Sequence, residues 1–167
     1  LMKYVEAYKD GEALKLGLSS GPHNFTTLKA DIAMPDLYGL YLSGAAQATV
    51  KEFSSSHNLV VWLSGASRVN GNLTVNDIEF NLSGASSVIL EGSANDIIIE
   101  ASAASNLDLE DFPVDNADMK LSGASKATVN LSGILDADVS GASNLSYIGE
   151  PTMGHINISG LSTLNKK

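Results

Sequence analysis

The chain has 167 residues, a hydrophobic fraction of 44% and a formal net charge of −9 at pH 7. This charge disfavours nucleic acid as a partner, because a phosphate backbone would be repelled. The lack of cysteine excludes a disulfide scaffold and cysteine-ligated metals. No stretch reaches the roughly 18 consecutive apolar residues of a membrane span. No signal-peptide pattern is recognised, but the chain begins at Leu1 rather than methionine, so we expect a trimmed fragment in which a missing signal means little.

Residues 1–36 lack the repeated motif that fills the rest of the chain. Apolar and polar side chains alternate within residues 14–18 and again within residues 28–34, which is typical of strands with one buried face. The end units of a repeat protein are usually atypical. We therefore predict that residues 1–36 form irregular N-terminal coils or a cap on a single domain that spans residues 1–167.

A five-residue motif of the type Leu-Ser-Gly-Ala-Ser recurs through residues 37–149 and once more in the C-terminal coil, residues 150–167. Its copies are Leu42–Ala46, Leu63–Ser67, Leu82–Ser86, Leu121–Ser125 and Val139–Ser143, with weaker copies at Ala101–Ser105 and Ile158–Ser162. Successive copies lie 18 to 21 residues apart. A fixed period of about 19 residues is the signature of a solenoid.

The flanks of the motif alternate between apolar and polar side chains. Counted from the glycine, positions −4, −2 and +4 are apolar in every copy, whereas positions −3 and +3 are mostly polar. This period of two predicts a strand on each side of a tight corner. In a parallel coil, each residue lies about 4.8 Å from the equivalent residue of the next copy, so like side chains stack on one another. Because equivalent positions here carry similar residues in every copy, we predict an all-β, single-stranded parallel β-helix with about 19 residues per coil.

The glycine of the motif is interpreted as a structural corner, because glycine accepts positive φ and close backbone contact. The corner positions are Gly44, Gly65, Gly84, Gly123, Gly141 and Gly160. The serines beside them are expected to bond neighbouring backbone groups. A catalytic serine row is rejected because a nucleophilic serine needs an adjacent base and no histidine column accompanies the serines.

Two later segments depart from the regular pattern. Residues 110–118 are acidic and contain Pro113, and they are expected to form an exposed bulging loop. The tail ends in Lys166 and Lys167, whose charge would discourage growth at the edge of the sheet.

Carboxylates gather on one outward face of the predicted coils. Asp118 and Asp136 share position −5 on neighbouring coils, and Asp138 lies two residues further on the same face. Oxygen ligands of this kind could form a weak calcium site. The alternative interpretation is a solvated acidic face on an acidic protein, and no other cofactor is indicated.

An apolar group interrupts the outward polar pattern near the first regular coils. Tyr41 and Trp62 both occupy position −3, one period apart, while Val60 and Ile98 extend the same face. Adjacent exposed rings with aliphatic neighbours are typical of a contact surface. We predict that this face touches a glycan, another subunit or the chain's own N-terminal segment.

The segments Met34–Leu37, Leu40–Ala46 and Ile158–Ser162, together with the Leu-Ser-Gly-Ala-Ser series, resemble the bacterial family called putative autotransporter adhesin, head GIN domain. The resemblance covers roughly residues 10–165. It implies a right-handed parallel β-helix in a cell-envelope or secreted protein, and it brings no catalytic residues.

Together with the residues, the resemblance favours a non-catalytic surface module, an adhesin or scaffold that binds glycan or surface protein. The alternatives are a structural domain that forms homo-oligomers and, less favoured, a β-helix enzyme acting on polysaccharide.

Overall fold

A computed structural model describes residues 5–19 and 29–167 of the chain. Within these ranges all regular secondary structure is β-strand. The chain divides into two compact units, Leu1–Met34 and Pro35–Lys167, and each is described by itself.

The N-terminal unit contains an antiparallel hairpin of β1 (Val5–Asp10) and β2 (Ala13–Leu18). The alternation within residues 14–18 therefore does mark a strand, but the expectation of a parallel coil here is wrong. Only two residues connect the strands, which suffices for a hairpin, whereas a parallel pair needs a much longer crossover. Residues 29–34 form no strand, and Leu28 lies outside the described residues. The capping role of residues 1–36 stays a prediction.

The second unit is a β-solenoid of two seven-stranded parallel sheets, and the chain alternates between them. The first sheet contains β3 (Gly39–Leu42), β5 (Leu59–Leu63), β7 (Ile78–Leu82), β9 (Asp96–Ala101), β11 (Asn116–Leu121), β13 (Ile134–Val139) and β15 (Thr152–Ile158). The second sheet contains β4 (Gln47–Ser54), β6 (Arg68–Thr74), β8 (Ser87–Ser93), β10 (Asn106–Val114), β12 (Lys126–Leu131), β14 (Asn144–Ile148) and β16 (Thr163–Lys166). The predicted β-helix is confirmed, with about seven turns of about 19 residues.

The pairing register stacks the columns that the repeat predicts. Leu63 pairs with Leu82, Leu82 with Ala101 and Ala101 with Leu121, and these side chains point into the core. Positions −4 and +4 of the central coils are buried as well, with Phe80 and Val88 fully inaccessible. The core is therefore a continuous stack of aliphatic side chains between the two sheets, and the outward positions remain for contact with other molecules.

The six corner glycines have φ between 70° and 77°. At Gly84 a Cβ atom would lie 2.4 Å from the carbonyl oxygen of Gly65, so the backbones of stacked corners leave no room for a side chain. The amide of the following residue, Ala85, donates to that same oxygen at 2.7 Å. The corner therefore requires both the positive φ and the small volume of glycine.

The second serine of the motif is buried and closes the corner internally. The Ser86 hydroxyl donates to the Ser83 carbonyl at 2.6 Å, and the Ser125 hydroxyl donates to the Ser122 carbonyl at 2.8 Å. These bonds satisfy hydroxyls that would otherwise be buried without a partner. The serine columns at this position are thus architectural.

The fourth coil carries alanine at the corner, and Ala103 has φ of 61°. The left-handed region costs a non-glycine residue about 1–2 kcal/mol. We therefore expect Ala103→Gly to stabilise the protein by about 1 kcal/mol, measured as a higher midpoint of denaturant unfolding. Ala104→Gly, one residue further and not at positive φ, is the matched control and should not stabilise. An unchanged midpoint in Ala103→Gly would contradict the strain assigned to this corner.

The expected loop at residues 110–118 is wrong, because this segment belongs to β10 and β11. Phe112 and Val114 are buried, whereas Asp111 and Pro113, which alternate with them, are exposed. The register shifts between Leu109 and Pro113, so the strand bulges but continues. The structure of this segment is therefore determined by its alternation of inward apolar and outward polar side chains rather than by its acidic composition.

Candidate functional site

Position −3 forms one continuous outward row across the first sheet. The paired neighbours in this row are Tyr41, Trp62, Asn81, Glu100, Lys120, Asp138 and Asn157, in that order. The row begins with aromatic side chains and continues with amide and charged ones. Its order follows directly from the strand register.

Tyr41 and Trp62 lie side by side at the start of the row, with 69% and 51% of their areas exposed. The Tyr41 ring folds back over Gly39, two residues earlier in β3. A Cβ atom at Gly39 would lie 2.7 Å from the ring's Cε2 atom, so the absence of a side chain there makes room for the ring. The strand register therefore pairs the two residues, as their shared position −3 predicts, while their binding role stays a prediction.

Val60 pairs with Gly39, over which the Tyr41 ring lies, so it is beside the two rings, whereas Ile98 is separated from them. Both lie in the neighbouring row at position −5, where Glu79 is paired between them. Val60 is only partly exposed, whereas 48% of Ile98 is exposed. The structure thus places Val60 beside the aromatic pair and separates Ile98 from this group by Glu79.

A groove of about 830 Å³ runs along the first sheet beside the position −3 row. Its lining includes Tyr41, Trp62, Asn81, Glu100, Lys120 and Asp138 from the row, and Ser43, Ser64, Ser83, Ser102, Ser122 and Ser140 from position −1. The position −2 side chains between them point inward, so backbone forms the floor. From β3 to β13 the groove crosses five strand spacings, or about 24 Å at about 4.8 Å each.

The position −1 serines form one rim of the groove, the serine rim, and their hydroxyls make only long hydrogen bonds within the protein. The hydroxyls of Ser83, Ser102, Ser122 and Ser140 donate to carbonyls of the preceding coil at 3.3–3.5 Å. These are long hydrogen bonds, and each hydroxyl oxygen keeps acceptor capacity. The rim therefore offers a regular row of acceptors to a ligand. The chemistry of a nucleophilic serine is not set up here, because the described histidines, His57 and His155, do not line the groove.

An ion pair lies in the middle of the groove. The Lys120 ammonium donates to the Glu100 carboxylate at 3.1 Å. This hydrogen bond, with the charges of Glu100, Asp118 and Asp138, raises the pKa of Lys120 above its ordinary value. Asp138 accepts a hydrogen bond of 2.7 Å from the Asn157 amide. Lys120 is thus surrounded by carboxylates and is not a free cation for an anionic ligand.

The three carboxylates of the calcium hypothesis occupy two neighbouring strands. Asp118 pairs with Asp136, and Asp138 lies in the adjacent outward row. Asp136 accepts the His155 backbone amide at 2.5 Å. In the part of the chain that the structure describes, no three His, Asp or Glu side chains converge in a way that could hold a metal ion. Calcium binding stays a prediction, which thermal unfolding with and without calcium would test.

Asparagine side chains in the corners before β5, β7 and β9 form a ladder of amides, which sequence reasoning missed. Asn76 donates to the Asn58 side-chain oxygen, and Asn95 donates to the Asn76 side-chain oxygen, both at 2.8 Å. The ladder stacks amide on amide from coil to coil and fixes the register at this second corner. The signal that could have revealed it is the recurrence of asparagine at one repeat spacing.

A second missed cluster joins the start of the solenoid to the turn between β4 and β5. The Asp36 carboxylate accepts the Ser55 hydroxyl at 2.8 Å and contacts His57 Nδ1, also at 2.8 Å. The Tyr38 ring lies against the His57 ring, with centroids 4.8 Å apart. The Ser55 proton points to the carboxylate rather than to the imidazole, so the cluster fastens a turn and does not activate a nucleophile.

This cluster predicts a specific loss of stability in acid. The Ser55 hydrogen bond, helped by the Leu37 amide and the charge of His57, holds the pKa of Asp36 below its ordinary value of 3.8. The contribution is present above that value and is lost as the pH falls through the lower folded-state pKa. From about pH 5 to about pH 3, the parent should therefore lose more unfolding free energy than Asp36→Asn. Asp111→Asn, which removes an exposed carboxylate outside the cluster, should resemble the parent, and identical pH profiles for all three would contradict the assignment.

Residues 1–151 match the family model described as putative auto-transporter adhesin, head GIN domain, so the chain belongs to this family. The family resemblance drawn from the repeated motif is thereby confirmed. No curated protein and no solved structure gives a significant match to the chain. Over residues 5–19 and 29–167, no helix has the length and apolar character needed to cross a membrane.

Proposed function

We propose that this member of the adhesin head family is a non-catalytic binding module of the cell surface or the secreted space, and that its groove is the contact surface. The observation that carries the proposal is the exposed Tyr41–Trp62 pair at one end of a groove whose other outward-pointing side chains are polar. Exposed aromatic rings provide large contact areas at low entropic cost, while polar neighbours supply orientation. The family description supports a surface-directed adhesive role.

The side chains of the groove favour binding over catalysis. Glu100 is paired with Lys120, and Asp138 accepts a bond from Asn157, so neither carboxylate is poised as an unpaired acid or base. Among the described residues, no imidazole lines the groove beside the serine rim. These features disfavour the alternative of an enzyme acting on polysaccharide, because general acid–base catalysis needs a group tuned and positioned for proton transfer.

The proposal is tested with immobilised surface glycans and surface proteins probed with the parent and three variants. Trp62→Ala and Tyr41→Ala should each weaken binding by about tenfold, or about 1.4 kcal/mol. Ile89→Ala removes a comparably exposed apolar side chain from the second sheet and should leave binding unchanged. Equal binding by all four proteins, or binding by none, would overturn the groove as the contact surface.

Measuring the molecular mass of the same four proteins in solution distinguishes the binding module from the alternative, an oligomerisation domain. If Trp62→Ala changes a concentration-dependent oligomer into a monomer and leaves ligand binding untouched, the groove is a subunit interface. A monomeric parent, with the loss of ligand binding in Trp62→Ala, supports the binding module.

A further inference from the structure

Resting on the proposed function, we infer that the ligand of the groove is a linear glycan of sugars without acidic groups, extended along the solenoid axis. The inference depends on three properties of the described residues: the periodic lining, the hydrogen-bonding capacity of the rim and the sign of the charge around the groove.

The groove is periodic in a way that suits a periodic ligand. Each coil contributes one position −3 side chain and one position −1 serine, repeated at about 4.8 Å along about 24 Å. One hexose unit of an extended glycan covers about the same distance as one strand spacing. A linear glycan can therefore repeat its contacts with the serines from coil to coil, whereas the side chains of an irregular protein surface do not recur at this interval.

The chemistry of the two walls is complementary to a sugar chain. The rings of Tyr41 and Trp62 offer apolar faces to the carbon–hydrogen faces of hexoses. The serine hydroxyls on the opposite rim use their protons within the protein and retain acceptor lone pairs for the hydroxyl donors of the ligand. Asn81, one coil beyond Trp62, adds an amide with both donors and acceptors.

The charge around the groove excludes acidic glycans. Five carboxylates occupy the two outward rows, those of Glu79, Glu100, Asp118, Asp136 and Asp138. Lys120 is the cation among them, and it is held by Glu100. Uronic acids, sulfates and phosphates would be repelled by these carboxylates, and repulsion between like charges at a contact surface strongly lowers the affinity for such ligands. A second copy of this chain would present the same carboxylates, so the face also disfavours self-association.

The experiment titrates the full chain with cellohexaose, hexa-N-acetylchitohexaose and oligogalacturonate of matched length. The chain contains a single tryptophan, so the fluorescence of Trp62 reports directly on the groove. At least one uncharged hexasaccharide should change the Trp62 emission, and should bind about tenfold more tightly than its disaccharide because more coils are engaged. Oligogalacturonate should leave the emission unchanged.

Two variants examine the aromatic end by calorimetry. Gly39→Ala places a methyl group where the Tyr41 ring now lies, without imposing strain on the backbone. It should displace the ring and weaken hexasaccharide binding severalfold, while the melting temperature stays within about 2 °C because only the end of a side chain must move. Ile98→Ala, on the same sheet but outside the groove lining, is the matched control and should bind like the parent.

The inference is overturned if oligogalacturonate binds as well as the uncharged hexasaccharides, if neither uncharged hexasaccharide changes the Trp62 emission, or if hexasaccharide and disaccharide bind equally. These outcomes are distinct from failure of the proposed function. If contact with immobilised surface ligands depends on Trp62 but uncharged hexasaccharides neither bind nor compete, the groove is still the contact surface and its occupant is a protein or another class of glycan.

Discussion

Replacing Gly84 by valine is expected to lower the free energy of unfolding by about 4 kcal/mol or more, which is near the upper limit for a single substitution. Gly84 has φ of 75°, a conformation that costs a side-chain-bearing residue about 1–2 kcal/mol and a β-branched one more. Its Cβ would also lie 2.4 Å from the Gly65 carbonyl oxygen. That atom belongs to backbone and accepts the Ala85 amide, so it cannot move away without breaking the stacking of the corner.

Gly44 provides the matched control for this substitution. Its φ is 70°, but among the described residues an added Cβ would meet no atom within 4 Å. Gly44→Val should therefore lose only the conformational part, about 2 kcal/mol or somewhat more because valine is β-branched. Denaturant unfolding gives the loss of unfolding free energy in each variant. The difference between the two losses measures the effect of the close contact between a Cβ at position 84 and the Gly65 carbonyl oxygen. Similar losses in the two variants would mean that stacked corners do not need the small volume of glycine.

The substitution Phe112→Ala should cost about 3–5 kcal/mol, the usual loss for removing a buried phenylalanine. The Phe112 side chain is fully inaccessible and belongs to the hydrophobic core, although it lies in an acidic stretch beside proline. Removing the ring leaves a cavity that the rigid coils above and below cannot fill. The loss should appear as a lower midpoint in both thermal and denaturant unfolding.

Asp111→Ala is the control in the same segment. Asp111 is exposed, so its removal should change stability by no more than about 0.5 kcal/mol. Comparing the two substitutions distinguishes a strand at residues 110–114, as observed, from an exposed loop. If Phe112→Ala were as mild as Asp111→Ala, residues 110–114 would not contribute to the core.

The candidate site was partly predictable. The sequence places Tyr41 and Trp62 at the same position of successive copies, and a solenoid register brings such positions together. The same columns place Glu79 between Val60 and Ile98 at position −5, so this interruption of the apolar row was also readable from the sequence. The groove was not predictable, since its walls depend on how far each side chain extends above the sheet.

Segments outside the repeat were the least predictable. Alternation within residues 14–18 reveals a strand but not its partner, and the short connection to β1 decides for an antiparallel hairpin. Asp36 and His57 share position −8 of successive copies, and Ser55 lies two residues before His57, so the solenoid register brings the three residues together. The repeat predicts this proximity, but the hydrogen bond and the contact depend on side-chain identities that differ from coil to coil.

The sequence by itself determined the coil, its period, the inward columns and the glycine corners. In a solenoid each residue contacts its equivalent one period away, so the repeated pattern predicts which residues are neighbours in the tertiary structure. Only the tertiary structure decided that Phe112 lies in the core, that Lys120 is held by Glu100 and that the serine rim faces the aromatic row across a groove. These features depend on side-chain direction and on bulges, which vary from coil to coil while the backbone register stays the same.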